Sequence, residues 1–172
     1  MSYKDLLDNI KEDTNSEALH LNSRVLLVDS MNMFLRSFAV INSTNTQGVH
    51  IGGMVGFLRS LAYTVNLVQP TRIICVFDGQ GNTANRKNLY PEYKANRAKT
   101  PDEFRSQMSY LHELVTAFGI TTFEVEGYEA DDIIGTLAKK AEQHDFITFM
   151  MTPDKDFAQL VSDKIFIHKP AR

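Results

Sequence analysis

The chain has 172 residues, 43% of them hydrophobic, which is enough for one globular domain with a sizeable core. Eighteen Lys and Arg against twenty-one Asp and Glu leave a formal net charge of −3, which argues against the basic excess by which phosphate-binding proteins usually show themselves. No apolar run is long enough to span a bilayer, no basic-then-apolar signal pattern is present, and the single cysteine cannot form an internal disulfide, so a reducing, cytoplasmic compartment is expected.

Residues 1–22 hold two basic and five acidic side chains, so they carry the whole −3 and leave 23–172 balanced at sixteen against sixteen. Leu6, Leu7 and Ile10 line one face of a short helix, but the polar tract 13–16 interrupts it. A loosely attached acidic extension, partly disordered, is expected there. From Arg24 a regular alternation begins. RVLLV at 24–28 reads as a strand ending at Asp29. Met54, Val55, Leu58, Leu61, Ala62 and Val65 then give a helical period over 51–68. RIICVF at 72–77 is the second strand, ending at Asp78, and Cys75 within it reads as a buried core thiol without a basic neighbour to activate it.

A polar, basic stretch follows to Lys99. Thr100 and Glu103 have capping-box spacing, Pro101 is placed in the first turn, and Gly119 closes the helix. Ile120–Val125 is a third strand, Glu129–Gln143 a helix with Ile133, Ile134, Leu137, Ala138 and Ala141 inward, and Phe146–Met151 a fourth strand. A short helix runs to Val161 and Lys164–His168 is a fifth strand. Strands alternating with helices predict an α/β domain, a mostly parallel central sheet with flanking helices, over 23–172.

The acids fall at particular places in that pattern. Asp29, Asp78 and Asp154 follow the ends of three strands; Glu129, Asp131 and Asp132 open a helix; Asp156 lies two residues beyond Asp154. In open parallel sheets, ligands bind beyond the carboxyl ends of the strands. Singly, each acid is ordinary cap or turn chemistry. Gathered in one crevice they repel each other and require cations. Oxygen ligands without Cys or His pairing indicate Mg²⁺ or Mn²⁺ rather than zinc, and the five histidines show no ligand spacing. The counterpart is Arg86, Lys87, Lys94, Arg97 and Lys99 against one acid, Glu92, with Tyr90 and Tyr93 interleaved. That composition suits a phosphate backbone and stacked bases, a solvated loop being the alternative. Acids for metals beside cations for phosphate point to phosphodiester hydrolysis by a two-metal arrangement, with the ions ~3.5–4 Å apart. The phosphate loop, the Gly-x-Ser-x-Gly elbow and the zinc-protease His pair are all missing from the sequence.

VDSMN at 28–32, VFDG at 76–79, YPEYKANR at 90–97, EGYEADDIIGTLA at 126–138 and TPDKDFAQLV at 152–161 occur in an order that resembles the 5′ nuclease superfamily, which includes phage flap endonucleases and the 5′→3′ exonuclease domain of bacterial DNA polymerase I. The resemblance implies a resolvase-like, PIN-like fold with a basic arch or clamp at 79–100. It implies that Asp29, Asp78, Glu129 and Asp131 serve a first metal, and that Asp132, Asp154 and Asp156 lie on or toward a second. Lys94 and Arg86 match basic residues that approach the scissile phosphate. Tyr93 and Arg97 match the base of the arch, and Lys87 and Lys99 extend its basic character. Gly52 and Gly53 match a helix start that approaches DNA closely, helix packing being the other reason for glycine there. The implied substrate is DNA with a 5′ flap, a nick or a single-stranded 5′ end, or an RNA–DNA primer, acted on by a monomer in a bacterial or phage-infected cell. The family continues into a helix–three-turn–helix portion not contained in this sequence. The resemblance therefore implies a nearly complete first ion site and an incomplete second. A non-catalytic nucleic-acid-binding module and a PIN-like ribonuclease are the alternatives.

Overall fold

The computed structural model describes residues 23–96 and 101–170, so the expectations for the 1–22 extension and for Arg97, Lys99 and Thr100 lie outside the described residues. Five parallel strands form one sheet in the order β3-β2-β1-β4-β5: β1 Arg24–Asp29, β2 Arg72–Val76, β3 Thr121–Phe123, β4 Ile147–Met151 and β5 Ile165–His168. The helices are α1 Ser30–Phe38, α2 Gly52–Val68, α3 Ala84–Leu89, α4 Asp102–Ala117 and α5 Ala130–Gln143, with a 3₁₀ turn at Asp156–Leu160. No helix among the described residues is long and apolar enough to cross a membrane.

Strand periodicity builds two cores from one strand. Along β1, Leu26 and Val28 pack on one face with Phe34, Phe57, Leu111 and Phe149, while Val25 and Leu27 pack on the other with Val76, Ile134, Ala138 and Met150. That is why RVLLV is apolar at consecutive positions: a central parallel strand is covered on both sides. Helices α1, α2 and α4 cover the first face; α5 and the 3₁₀ turn cover the second. The chain moves outward from β1 through β2 to β3, then returns across the sheet to β4 and β5. The direction of winding reverses between β1 and β4, and the crevice at their carboxyl ends is the switch point of the fold.

Within the described residues the predicted strands and helices are present, the short helix before Val161 as a 3₁₀ turn, and their ends stay in place or move by one or two residues. β3 is shorter than 120–125 because it is an edge strand that pairs with β2 at only three positions. The capping expectation for α4 is corrected: Pro101 precedes the helix as its cap residue, without a side-chain cap hydrogen bond, and the helix begins at Asp102. Its other end is as predicted. Gly119 takes φ +74°, and the amides of Gly119 and Ile120 donate to the carbonyls of Thr116 and Val115, a Schellman closure. Two helices were not expected. α1 follows β1 without a loop, because Asp29 ends the strand and caps the helix at once. α3 lies within the basic stretch and buries none of its residues, so it carries no apolar period.

Candidate active site

The side-chain alternation of the strands aims three residues at one place. Val25 and Leu27 face α5, so Asp29, next in that series, does too; Val76 places Asp78, and Met150 places Thr152, on the same side. The register sets Val28 opposite Met151, which brings Thr152 level with Asp29. Above them stands the start of α5, with Glu129 as its cap residue and Asp131 and Asp132 in its first turn.

Asp29 is buried, and both of its oxygens are occupied. The Asn32 amide N–H donates to Oδ1 at 3.3 Å, and Asn32 Nδ2 and Thr152 Oγ1 each donate to Oδ2 at 2.8 Å. Burial pushes its pKa above the ordinary carboxylate value despite these bonds, with the nearby Asp78 charge adding to the rise. Asp78 is also raised by burial, against bonds from Ala130 and Asn82; Glu129 raises it further and Lys94 lowers it. Its Oδ1 accepts the Ala130 N–H at 2.7 Å, so β2 supplies the cap that α5 lacks in its own sequence. Gly79 makes this approach feasible. A Cβ there would stand 1.8 Å from the Val125 carbonyl oxygen, in the loop that delivers Glu129.

Glu129 is only 3% exposed and turns away from its own helix toward the basic segment. Lys94 Nζ reaches Oε1 at 2.7 Å; Arg86 and the Tyr93 hydroxyl, the latter at 3.1 Å, share Oε2. The Arg86 guanidinium continues to Asp132 Oδ1 at 2.6 Å and stands 3.6 Å from Asp131 Oδ1. The Tyr93 ring lies beside both cations, 5.5 Å from the guanidinium and 5.1 Å from the ammonium. Burial alone would lower the Arg86 pKa, but Asp131, Glu129 and Asp132 more than offset it and hold the group firmly charged. Asp131, Asp132, Asp154 and Asp156 line one cavity of about 130 Å³ with Arg86 and Gln159.

The acids thus form an inner group, Asp29, Asp78 and Glu129, and an outer group around that cavity, with Asp131 and Asp132 between them at the start of α5. Every candidate donor is a carboxylate oxygen, the set that hard divalent cations take. Among the described residues no three His, Cys, Asp or Glu side chains close on one point as they stand. Arg86 and Lys94 hold positive charge against Glu129, Asp131 and Asp132.

Other expected residues fall elsewhere. Lys87 is exposed on α3, and Tyr90 is exposed and bonded to Glu92 at 3.0 Å. Gly52 and Gly53 are buried: a Cβ would stand 1.6 Å from the Ile41 carbonyl oxygen at Gly52 and 2.4 Å from the Phe34 ring of α1 at Gly53, so packing by itself calls for glycine at both. Cys75 is fully buried, and burial pushes its thiol up to about 12, as a core residue's would be. Asn32 and Thr152 were not foreseen. The Asp-x-x-Asn spacing of an N-cap and its third residue is a signal for Asn32; Thr152 is brought in by strand register, for which the sequence carries no sign.

Comparison with known proteins places this geometry. The family model described as 5′-3′ exonuclease, N-terminal resolvase-like domain, matches residues 24–172. The chain is 41% identical over 142 residues to DNA polymerase I of Bacillus subtilis, with 82% of this chain and 16% of that protein covered. It is 39% identical over 145 residues to DNA polymerase I of Streptococcus pneumoniae R6 (81% and 16%), so it spans about one sixth of the length of these relatives. Among solved structures, bacteriophage T5 D15 protein co-crystallised with metal ions superposes with a TM-score of 0.67 at 21% identity, over 83% of this chain and 53% of that one. The catalytic core of Rad2 in complex with a DNA substrate gives 0.51 at 21% identity, over 86% and 43%.

Proposed function

The chain belongs to the 5′-3′ exonuclease N-terminal, resolvase-like family, and on that premise we propose that it is the catalytic portion of a Mg²⁺-dependent, structure-specific 5′ nuclease. Its substrate is DNA with a 5′ flap, a nick or a single-stranded 5′ end, RNA–DNA primers included, and it acts as a cytoplasmic monomer. The observation that carries the proposal is the meeting of acids from two strand ends and one helix start with Arg86 and Lys94 at the switch point of the sheet.

In this reading Asp29, Asp78, Glu129 and Asp131 hold the first divalent ion, and Asp132, Asp154 and Asp156 approach the second. When bound, Mg²⁺ or Mn²⁺ lowers the pKa of water and stabilises charge on the phosphate and on the leaving oxygen. The residues of the chain do the rest. Arg86 and Lys94, released from the carboxylates that they now hold, donate to the non-bridging oxygens, where negative charge grows in the transition state. Tyr93, whose ring lies beside both cations, keeps them over the crevice after that release. Lys87, exposed on α3, meets the strand backbone, and the family resemblance assigns Arg97 and Lys99 to the same role. Asp29 is fixed by Asn32 and Thr152, and Oδ1, which accepts one hydrogen bond where Oδ2 accepts two, keeps an acceptor site for the ion.

The test is incubation of the chain with a 5′-flap duplex in Mg²⁺ and in EDTA, beside Asp131→Asn. Cleavage in Mg²⁺ alone, lost by at least about 100-fold in Asp131→Asn with its fold retained, is expected. Binding of the flap without product in Mg²⁺, or equal cleavage by the variant, overturns the proposal.

A further inference from the structure

Thr152 joins the two groups of acids through a single hydroxyl. It is 1% exposed at the end of β4, where parallel register sets it beside Asp29. Its Oγ1–H donates to Asp29 Oδ2 at 2.8 Å, across 123 residues of chain. The same oxygen accepts the Asp154 N–H at 3.1 Å, and Asp154 Oδ1 in turn accepts the Asp156 N–H at 2.9 Å. A hydroxyl has one proton to give. Committed to Asp29, it leaves lone pairs for Asp154, so the two bonds polarise one another in the same direction. A continuous path therefore runs from Asn32 through Asp29 and Thr152 to the loop that carries Asp154 and Asp156.

We propose that Thr152 is a positioning residue that couples the inner and outer carboxylate groups, so that occupation of one by a divalent cation changes the affinity of the other. The proposal rests on the reading of those carboxylates as cation ligands. An ion that draws Asp29 toward itself stretches the Thr152 bond, and the Asp154 amide must follow the hydroxyl. The displacement reaches Asp154 and Asp156, which line the outer cavity with Asp131 and Asp132. Thr is suited to this place because its methyl group fills buried space while its hydroxyl serves two partners. Ser keeps the two bonds, and Val keeps the shape alone.

The experiment is Mn²⁺ binding to the DNA-free chain, followed by calorimetry and by electron paramagnetic resonance, for the wild type and for Thr152→Val, Thr152→Ser and Asn32→Ala, with metal-free melting recorded for each. In the wild type the second ion is expected to bind with an affinity that depends on the first. Thr152→Val should weaken the first ion by about tenfold and make the two binding steps independent, as loss of an outer partner does at metal sites. Thr152→Ser should stay within about threefold of the wild type and keep the dependence. Asn32→Ala removes the other partner of Asp29 Oδ2 and should weaken the first ion while the dependence persists. Unchanged binding by Thr152→Val overturns the proposal, as does an Asn32→Ala variant that also loses the dependence, since Thr152 would then only fix Asp29. If those results come with Mg²⁺-dependent cleavage by the wild type, the nuclease reading stands without this coupling. Absence of Mn²⁺ binding in the wild type overturns both.

Discussion

Lys94 stands in the left-handed backbone region at φ +56°, a conformation that residues with a Cβ adopt at a cost. What holds it there is the 2.7 Å contact of its ammonium with buried Glu129, beside the Tyr93 ring. A long flexible side chain is thereby held over the crevice before a phosphate arrives, and it exchanges Glu129 for the phosphate. Lys94→Ala is therefore expected to lower kcat on a flap substrate by about 100-fold while changing the Kd for uncleaved substrate by less than about threefold. Single-turnover rates and equilibrium binding in Ca²⁺ measure the two separately, and equal losses in both would make Lys94 a docking contact. At this scale the sequence was informative about residue types and silent about partners. A strand end named Asp29, a helix start named Glu129, and the basic stretch named Arg86 and Lys94. The composition of YPEYKANR does not separate Tyr93, which bonds Glu129, from Tyr90, which faces solvent with Glu92; only the family resemblance singled out Tyr93.

Between elements, α1 packs tightly on α2. Gly52, Gly53 and Gly56 form the contact face of α2, meeting Ile41, Phe34 and Ser37. Phe34 is fully buried, also in contact with Phe38 and Phe104, so its ring has nowhere to turn. Gly53→Ala should destabilise the domain by about 2 kcal/mol through overpacking. Urea denaturation should show this as a lower midpoint with an unchanged m-value. Because Asp29 caps α1, loosening this contact also loosens the first acid. The period of α2 was plain in the sequence, since its apolar face recurs along seventeen residues. α1 is nine residues long and α3 six. One takes its cap from a residue already spent on a strand, and the other buries nothing, so neither leaves the pattern by which helices are recognised.

For the whole molecule, two buried carboxylates make the stability depend on pH. Asp29 and Asp78 have pKa values raised above those of an unfolded chain, chiefly by burial. A raised carboxylate favours the fold while protonated. That contribution is present below the unfolded value near 3.8 and is lost as pH rises through the higher folded value. Asp78→Asn keeps an oxygen for the Ala130 N–H and removes the titration. In EDTA the variant and the wild type should unfold together at acid pH, and the variant should be the more stable at neutral pH. Mg²⁺ should stabilise the wild type at neutral pH and the variant far less. Thermal melts at several pH values, with and without the ion, measure both effects. A variant less stable than the wild type in EDTA at neutral pH would show that the Asp78 charge already has sufficient partners.

By itself, the sequence determined the alternation of strands and helices, the parallel sheet, the carboxyl-end location of Asp29, Asp78 and Asp154, and the basic segment opposite them. These are local properties: apolar period, strand length and the residue that follows a strand are written in consecutive positions. Only the tertiary structure decided which acids share a group and what fixes them. Thr152 reaches Asp29 because β4 lies beside β1 in a given register, and Asp78 caps α5 because Gly79 admits the loop before it. The −3 of the full chain carries no information on either point. A sum of charges has no geometry, and this crevice is made by three strands and a helix brought together from across 128 residues of chain, Asp29 to Asp156.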